Sequence, residues 1–94
     1  MKKTKVVGGK RRRSHANGDL LQRITIDPKV LVGKPTIRGM RISVEQVLHL
    51  LGEGLTAKQI LHELPVLEEE DIRAAVAYAH RLVSTEKVYR AGNA

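Results

Sequence analysis

The side chains that could perform catalysis or bind a metal ion are few and widely spaced. The chain of 94 residues contains no Cys, which excludes thiolate metal sites, thiol nucleophiles and disulfides. His62-Glu63 begins the zinc-protease pattern, but the second His of that pattern would stand at position 66, which is Val66. The four His residues show no metal-ligand spacing, and no Ser has an evident base and orienting acid. We therefore expect no enzymatic activity, no cofactor and no metal site.

Two further patterns resemble ligand sites but lack required features. Gly33-Lys34 resembles the end of a phosphate-binding loop, yet such a loop needs Gly at the position of Pro28 and Ser or Thr at the position of Pro35. The acidic run Glu68–Asp71 lies within one predicted helical turn, so its carboxylates diverge and cannot surround one cation. We expect this run to be a solvated helix N-terminus, where the helix dipole favours negative charge.

The net positive charge is confined to the first 23 residues. The chain has 17 Lys and Arg against 10 Asp and Glu, a formal net charge of +7. Residues 1–23 contain eight of these basic residues and one acidic residue, whereas residues 24–94 contain nine of each sign. Few apolar residues and no periodicity predict that residues 1–22 form a disordered, flexible basic arm. Such an arm is typical of segments that bind nucleic acid or another polyanion, and a solubilising tail is the alternative.

Composition excludes several other classes. With two Tyr and no Phe or Trp, the chain is a poor candidate for a protein that stacks unpaired bases on aromatic rings. Its apolar runs are too short to span a membrane. No apolar region follows the basic N-terminus, so we expect a cytoplasmic chain without a secretory signal. Lys10–Arg13 also resembles a nuclear localisation patch, a pattern of low specificity.

Two short β elements are predicted before the helices. Ile24–Ile26 alternates apolar and polar residues, which predicts a strand with both Ile side chains directed inward. Thr36–Ile42 reads as a tight hairpin in which Gly39 adopts a positive φ. We expect Arg38 and Arg41 to project outward together beside this turn.

Three helices follow. Ser43 and Thr56 each begin a capping-box pattern and are followed by apolar residues at helical spacing. A third helix is predicted from about Glu68 and would bury a stripe of six apolar residues: Ile72, Ala75, Val76, Ala79, Leu82 and Val83. The expected fold is mainly α, with an arm over residues 1–22, a domain over 23–86 and a tail over 87–94.

A folded part this small is expected to be marginally stable alone, so we predict a homodimer. Leu50 lies off the main apolar stripe of its helix, and we place Ile24, Ile26 and Leu50 at the dimer interface. The helix order is compatible with a helix-turn-helix, whose last helix would present Arg73 and Arg81 to the major groove. The four acids that open this helix oppose close approach to phosphates, and a solvated face with intrahelical ion pairs is the alternative.

A family resemblance covers nearly all of the predicted folded part. The residues that carry it are Ile24–Pro28, Gly33–Val44, Leu55-Thr56 and Asp71–Ala75, which resemble the domain-of-unknown-function family 433 over about residues 24–80. Met40 departs from the family pattern, which usually has Thr there. Glu68 departs as well, since Ser, Thr or Asp would cap helix three.

The resemblance implies a three-helix, homeodomain-like helix-turn-helix, a dimer and a prokaryotic setting. Members are often encoded beside a PIN-like ribonuclease and are regarded as VapB-like antitoxins. We therefore expect an antitoxin that binds a PIN-like toxin and represses its own operon by binding operator DNA. The alternative is an RNA- or ribonucleoprotein-binding interaction protein with a basic tail. The candidate contacts to nucleic acid or an acidic partner are Lys2, Lys3, Lys5, Lys10, Arg11, Arg12, Arg13, Arg38, Arg41, Arg73 and Arg81.

Overall fold

A computed structural model of the chain describes residues 5–6 and 20–85. Three strands, β1 (Lys5–Val6), β2 (Ile24–Ile26) and β3 (Thr36–Ile37), form an antiparallel sheet in that order. A 3-10 turn at Leu31–Gly33 connects β2 to β3. Three α-helices follow: α1 (Val44–Gly52), α2 (Ala57–Glu63) and α3 (Glu69–Thr85). The predicted mainly helical fold with a short β element is confirmed. Within the described ranges, no helix combines the length and apolar character needed to cross a membrane.

The residues that the β2–β3 pair buries differ from those that the alternation predicts. Ile24 pairs with Ile37 and both are fully buried, but Ile26 is only half-buried and Thr25 is buried instead. Thr25 pairs with Thr36 across the sheet, and their hydroxyl oxygens lie 3.1 Å apart. The Thr25 Oγ1 also accepts a hydrogen bond from the Gly39 amide at 2.9 Å. Ile26 lies two residues after Ile24, on the same face of β2, so the prediction of two inward Ile residues is confirmed for Ile24 and met only in part by Ile26.

The predicted tight turn is confirmed at Arg38-Gly39. Both residues have positive φ, 45° and 74°, and the Met40 amide donates to the Ile37 carbonyl at 2.8 Å. Positive φ at both central positions is the requirement of a type I′ turn, whose twist matches that of the strands it joins.

The predicted N-termini of the first two helices are confirmed. Ser43 Oγ accepts from the Gln46 amide at 2.9 Å. Thr56 forms a complete capping box with Gln59, with hydrogen bonds of 3.1 and 2.8 Å. α2 ends directly before Leu64-Pro65, since Pro cannot continue a helix.

The core lies where the sheet meets all three helices. Its fully buried members include Ile24 and Ile37 from the sheet, Val47 from α1 and Ile60 from α2. α3 contributes its first half through Ile72, Ala74 and Ala75. Ile24 therefore has no exposed side-chain surface in the single chain, and its expected place at a dimer interface finds no support. The homodimer itself stays a prediction.

The predicted apolar stripe of α3 is buried only in part. Val76, Leu82 and Val83 are 47%, 52% and 69% exposed. The expectation that they pack inside this domain is wrong: Val76 lies between the buried Ala75 and Ala77 on a side of α3 that the core does not cover, and Leu82 and Val83 lie beyond Ala77, the last buried residue of the described helix.

The Arg38-Gly39 turn gives a direct test of the fold. We expect Gly39→Ala to lower the free energy of unfolding by about 1 kcal/mol, since a Cβ disfavours the left-handed backbone conformation. Gly52→Ala is the matched control: Gly52 ends α1, has no positive φ, and an added Cβ there meets no atom within 4 Å. Urea unfolding of both variants measures the difference. Equal stability of the two variants would contradict the turn geometry.

Candidate functional site

A buried carboxylate, Asp71, joins the β2–β3 sheet to α3. Its side chain is 0% exposed. The Arg38 guanidinium donates two hydrogen bonds to this carboxylate, from Nε to Oδ1 at 2.9 Å and from Nη2 to Oδ2 at 2.7 Å. The same Nη2 donates to the Val66 carbonyl at 3.1 Å. This bidentate geometry is the strongest arrangement between a guanidinium and a carboxylate.

Two further donors complete the surroundings of Asp71. Arg23 Nη1 donates to Asp71 Oδ1 at 2.9 Å and also to Glu68 Oε1 at 2.8 Å. The Glu68 backbone amide donates to Asp71 Oδ2 at 2.7 Å. Each carboxylate oxygen thus accepts two hydrogen bonds, which satisfies both oxygens of a carboxylate that water does not reach.

The strand register explains why two arginines meet at one acid. Because Ile24 pairs with Ile37, the residues Arg23 and Arg38 lie beside each other, and the Arg38 amide donates to the Arg23 carbonyl at 2.7 Å. Two adjacent guanidinium groups repel each other unless an anion lies between them. Asp71 supplies that anion from the first turn of α3, so the same three side chains fix the helix against the sheet.

Electrostatics keep Asp71 ionised. Burial alone would raise the pKa of Asp71, but hydrogen bonds from Arg38, the Glu68 amide and Arg23 outweigh burial and hold that pKa below its ordinary value. The hydrogen bond to Asp71 likewise raises the pKa of Arg38 above its ordinary value.

The structure separates two arginines that the sequence analysis grouped together. Arg38 does not project outward with Arg41, because its guanidinium turns toward Asp71. Arg41 is exposed beside the turn. The acidic run is likewise not a wholly solvated helix end: Glu68–Glu70 are exposed, but Asp71 is buried.

The other predicted contact residues divide between α3 and the N-terminal arm. Arg73 and Arg81 are exposed on α3. No carboxylate in residues 20–84 comes within ion-pair distance of Arg41, Arg73 or Arg81. Lys5 lies in β1, and the remaining basic residues of the arm lie outside the described residues: Lys2, Lys3, Lys10, Arg11, Arg12 and Arg13.

Arg23 and Asp71 are the two members of the cluster that sequence reasoning missed. Arg23 is the first residue of the predicted domain, directly after the basic arm of residues 1–22, and its sequence surroundings assign it no separate role. The feature of the sequence that could have identified Arg23 is its position immediately before β2, which the strand register places beside Arg38. The signal for Asp71 was its place three residues after the helix N-cap, where an acid reaches back to the N-cap amide. Across the described ranges, no group of three or more His, Cys, Asp or Glu residues could hold a metal ion.

Comparisons with known proteins show the family of this chain. A family model described as "Protein of unknown function (DUF433)" matches residues 24–79. That range contains β2, the Arg38-Gly39 turn and Asp71. Because the model covers more than half of the sequence, the chain belongs to the DUF433 family, as the Gly33–Val44 segment indicated.

One curated relative is similar over the same length of chain. The "Uncharacterized protein y4eO" of Sinorhizobium fredii (strain NBRC 101917 / NGR234) is 36% identical over 56 residues, which cover 60% of this chain and 25% of the relative. The chain therefore matches about a quarter of that protein's length. No solved structure gives a significant match.

The Asp71 cluster predicts a large stability difference between two neighbouring acids. We expect Asp71→Asn to lower the free energy of unfolding by about 3 kcal/mol, because it leaves two guanidinium groups without their buried counter-charge. Glu68→Gln is the control, since the Glu68 carboxylate is exposed and its removal should cost less than about 1 kcal/mol. Urea unfolding at neutral pH measures both. Similar losses for the two variants would show that Asp71 is not the anchor.

The low pKa of folded Asp71 predicts how stability depends on pH. An Asp side chain in the unfolded chain has a pKa of about 3.9, and ionised Asp71 stabilises the fold at pH values above it. This contribution is lost as the pH falls through the lower pKa that Asp71 has in the folded protein. The stability gap between wild type and Asp71→Asn should therefore narrow as the pH falls below about 4. Denaturant unfolding of both proteins across this range measures it. A difference in the free energy of unfolding that stays constant with pH would show that the ionised form of Asp71 does not stabilise the fold.

Proposed function

We propose that this chain is the antitoxin of a type II toxin–antitoxin pair in the prokaryotic cytoplasm. It would bind and inhibit a PIN-like ribonuclease toxin, and repress its own operon by binding operator DNA through a homeodomain-like helix-turn-helix. The observation that carries the proposal is a set of exposed arginines without an acidic partner among the described residues: Arg41, Arg73 and Arg81.

Ion pairing in the structure supports separate roles for the arginines, some in the fold and others in binding a partner. Arg23 and Arg38 are matched by Asp71 and Glu68, so their charges serve the fold. A guanidinium without an acidic neighbour keeps its capacity to pair with phosphate or with a partner's carboxylates. Under the proposal, Arg38 is a positioning residue that holds the turn, and Arg41 beside that turn makes the contact.

The exposed arginines lie beside the turn and along α3. Arg41 follows the turn that Asp71 ties to the start of α3, and Arg73 lies two residues after Asp71. Arg81 lies eight residues further along, about 12 Å at the rise of an α-helix. Contacts from Arg41 and Arg73 would fix the register on the DNA backbone or base edges, and Arg81 would extend them.

The acids at the start of α3 limit how it can approach DNA. Glu69 and Glu70 are exposed in the first turn, where a recognition helix normally comes close to phosphates. This observation favours the second candidate, a protein that binds RNA or ribonucleoprotein through its arm and uses the helical domain as a platform. Comparable binding to structured RNA and DNA, without a footprint upstream of its own gene, would support that candidate instead.

Operator binding tests the role of Arg41. We expect Arg41→Ala to weaken binding to DNA from upstream of the gene by at least about 5-fold, the effect of losing one charge-assisted contact to DNA. Lys58→Ala is the control, because Lys58 is an exposed cation on α2 with no proposed contact. Electrophoretic mobility shift at fixed salt measures both. Equal affinities for the two variants would remove Arg41 from the interface.

Toxin neutralisation is tested by co-expression. If the gene beside this one encodes a PIN-like ribonuclease, its expression should arrest growth and co-expression of this chain should restore it. A variant without residues 1–22 shows whether the basic arm takes part, since such a nuclease uses clustered carboxylates that attract cations. Growth arrest that the full chain does not relieve would contradict the antitoxin proposal.

A further inference from the structure

β1 covers the outer edge of β2 with a segment that lies far from it in the sequence. Lys5 pairs with Ile26 and Val6 pairs with Thr25 in antiparallel orientation, and residues 7–23 separate the two strands. A strand edge is a docking site for an extended segment, because its backbone N–H and C=O groups need partners. Here a part of the chain's own basic arm occupies that edge.

Backbone hydrogen bonds show which groups of β2 face β1. The Arg38 amide donates to the Arg23 carbonyl, so the backbone of Arg23 faces β3. Because the N–H and C=O groups of successive residues point to opposite sides of a strand, Thr25 also faces β3, whereas Ile26 faces β1. The Ile26 amide therefore reports on β1, and the Thr25 amide is an internal comparison in the same strand.

The register distinguishes the two residues of β1 in the same way. Lys5 lies opposite Ile26, so its N–H and C=O face that residue and exchange hydrogen bonds with it. Val6 lies opposite Thr25, whose backbone faces β3, so the Val6 N–H points out of the sheet. Among the residues that the structure describes, β2 thus receives the backbone hydrogen bonds of β1 from Lys5 alone.

The domain holds β2 in place through contacts on its other side. Ile24 pairs with Ile37 of β3 in the core, and Asp71 binds Arg23 directly before β2. The family model begins at residue 24, so its range contains β2 and β3 but not β1. Release of a two-residue strand from this edge leaves the β2–β3 pairing and the Asp71 ion pairs in place, and it returns conformational entropy to the chain between the strands.

We propose that β1 is a releasable strap, which docks on β2 and leaves it while the domain stays folded, and which sets how far the basic arm reaches. The docked strap holds Lys2 and Lys3 within about 11 Å of Lys5, since an extended chain spans at most about 3.6 Å per residue. After release, the chain between Lys2 and Leu20 can span up to about 65 Å. The strap thus changes the distance over which the arm can capture an anionic partner.

This device does not depend on the antitoxin or DNA-binding proposal, and its tests need neither DNA nor toxin.

Hydrogen exchange of two neighbouring amides in the full chain tests the release. The Ile26 amide should exchange at least about 10-fold faster than the Thr25 amide, because release of the strap frees Ile26, whereas Thr25 exchanges only when β2 and β3 separate. Lys5→Pro should abolish the remaining protection of Ile26 and leave Thr25 protected, since Pro has no N–H to donate. Val6→Pro is the matched control, because the Val6 N–H points out of the sheet, where Pro is tolerated.

Three outcomes of this experiment would overturn the proposal. Equal exchange of Ile26 and Thr25 in the wild type would show that β1 opens only together with the sheet. An unprotected Ile26 amide in the wild type, or an equal effect of Lys5→Pro and Val6→Pro, would show that β1 does not hold this edge.

A spin label measures the reach of the arm directly. The chain has no Cys, so Lys2→Cys introduces a single thiol for a nitroxide label. The label should broaden the amide resonance of Ile26 when Val6→Pro is present, because the docked strap keeps residue 2 close to Lys5. With Lys5→Pro this broadening should be lost, since the arm no longer docks on β2. Equal broadening in the two proline variants would contradict the proposed strap.

Discussion

The ion pairs around Asp71 are the constraint on which the remaining structure depends. Arg23 immediately precedes β2, Arg38 immediately follows β3, and Asp71 comes from the first turn of the last helix. Without the acid, the strand register would place two cations side by side; without the cations, the helix would bury an unpaired carboxylate. The sheet, the turn and α3 therefore hold one another in place through a single side chain that water does not reach.

This constraint also decides which charges remain for a partner. A formal net charge of +7 suggests a uniformly basic surface, but the basic excess belongs to residues 1–23. In the folded part, Asp71 forms ion pairs with Arg23 and Arg38. Arg41, Arg73 and Arg81 stay exposed. Arg38 keeps a left-handed backbone conformation that is unfavourable for a side chain with a Cβ. The bidentate contact with Asp71 offsets that strain and holds the turn next to Arg41.

Features with local causes were predictable from the sequence. The caps at Ser43 and Thr56 and the turn at Arg38-Gly39 follow from hydrogen bonds and backbone preferences within a few residues. The Asp71 cluster joins residues 33 and 48 positions apart, and a single sequence does not show such pairing. Asp71 lies in an acidic run whose other members are exposed, and only its place three residues after the helix N-cap distinguishes it from them.

Helical periodicity also cannot show where a core ends. The stripe of α3 is regular from Ile72 to Val83, but only its first half meets the sheet and the other helices. A seam that faces a second chain has the same spacing as one that faces the chain's own core. Alternation in β2 likewise predicted an outward Thr25, which is buried because its hydroxyl pairs with that of Thr36.

A double-mutant cycle between Arg38 and Asp71 tests the anchor most directly. The free energies of unfolding of wild type, Arg38→Ala, Asp71→Ala and the double variant give the energy with which the two side chains interact. If the bidentate pair holds the turn to α3, the coupling should be about 2 kcal/mol and the double variant should be little worse than either single one. Additive losses, with a coupling near zero, would show that the two residues act independently and that Asp71 does not anchor the fold.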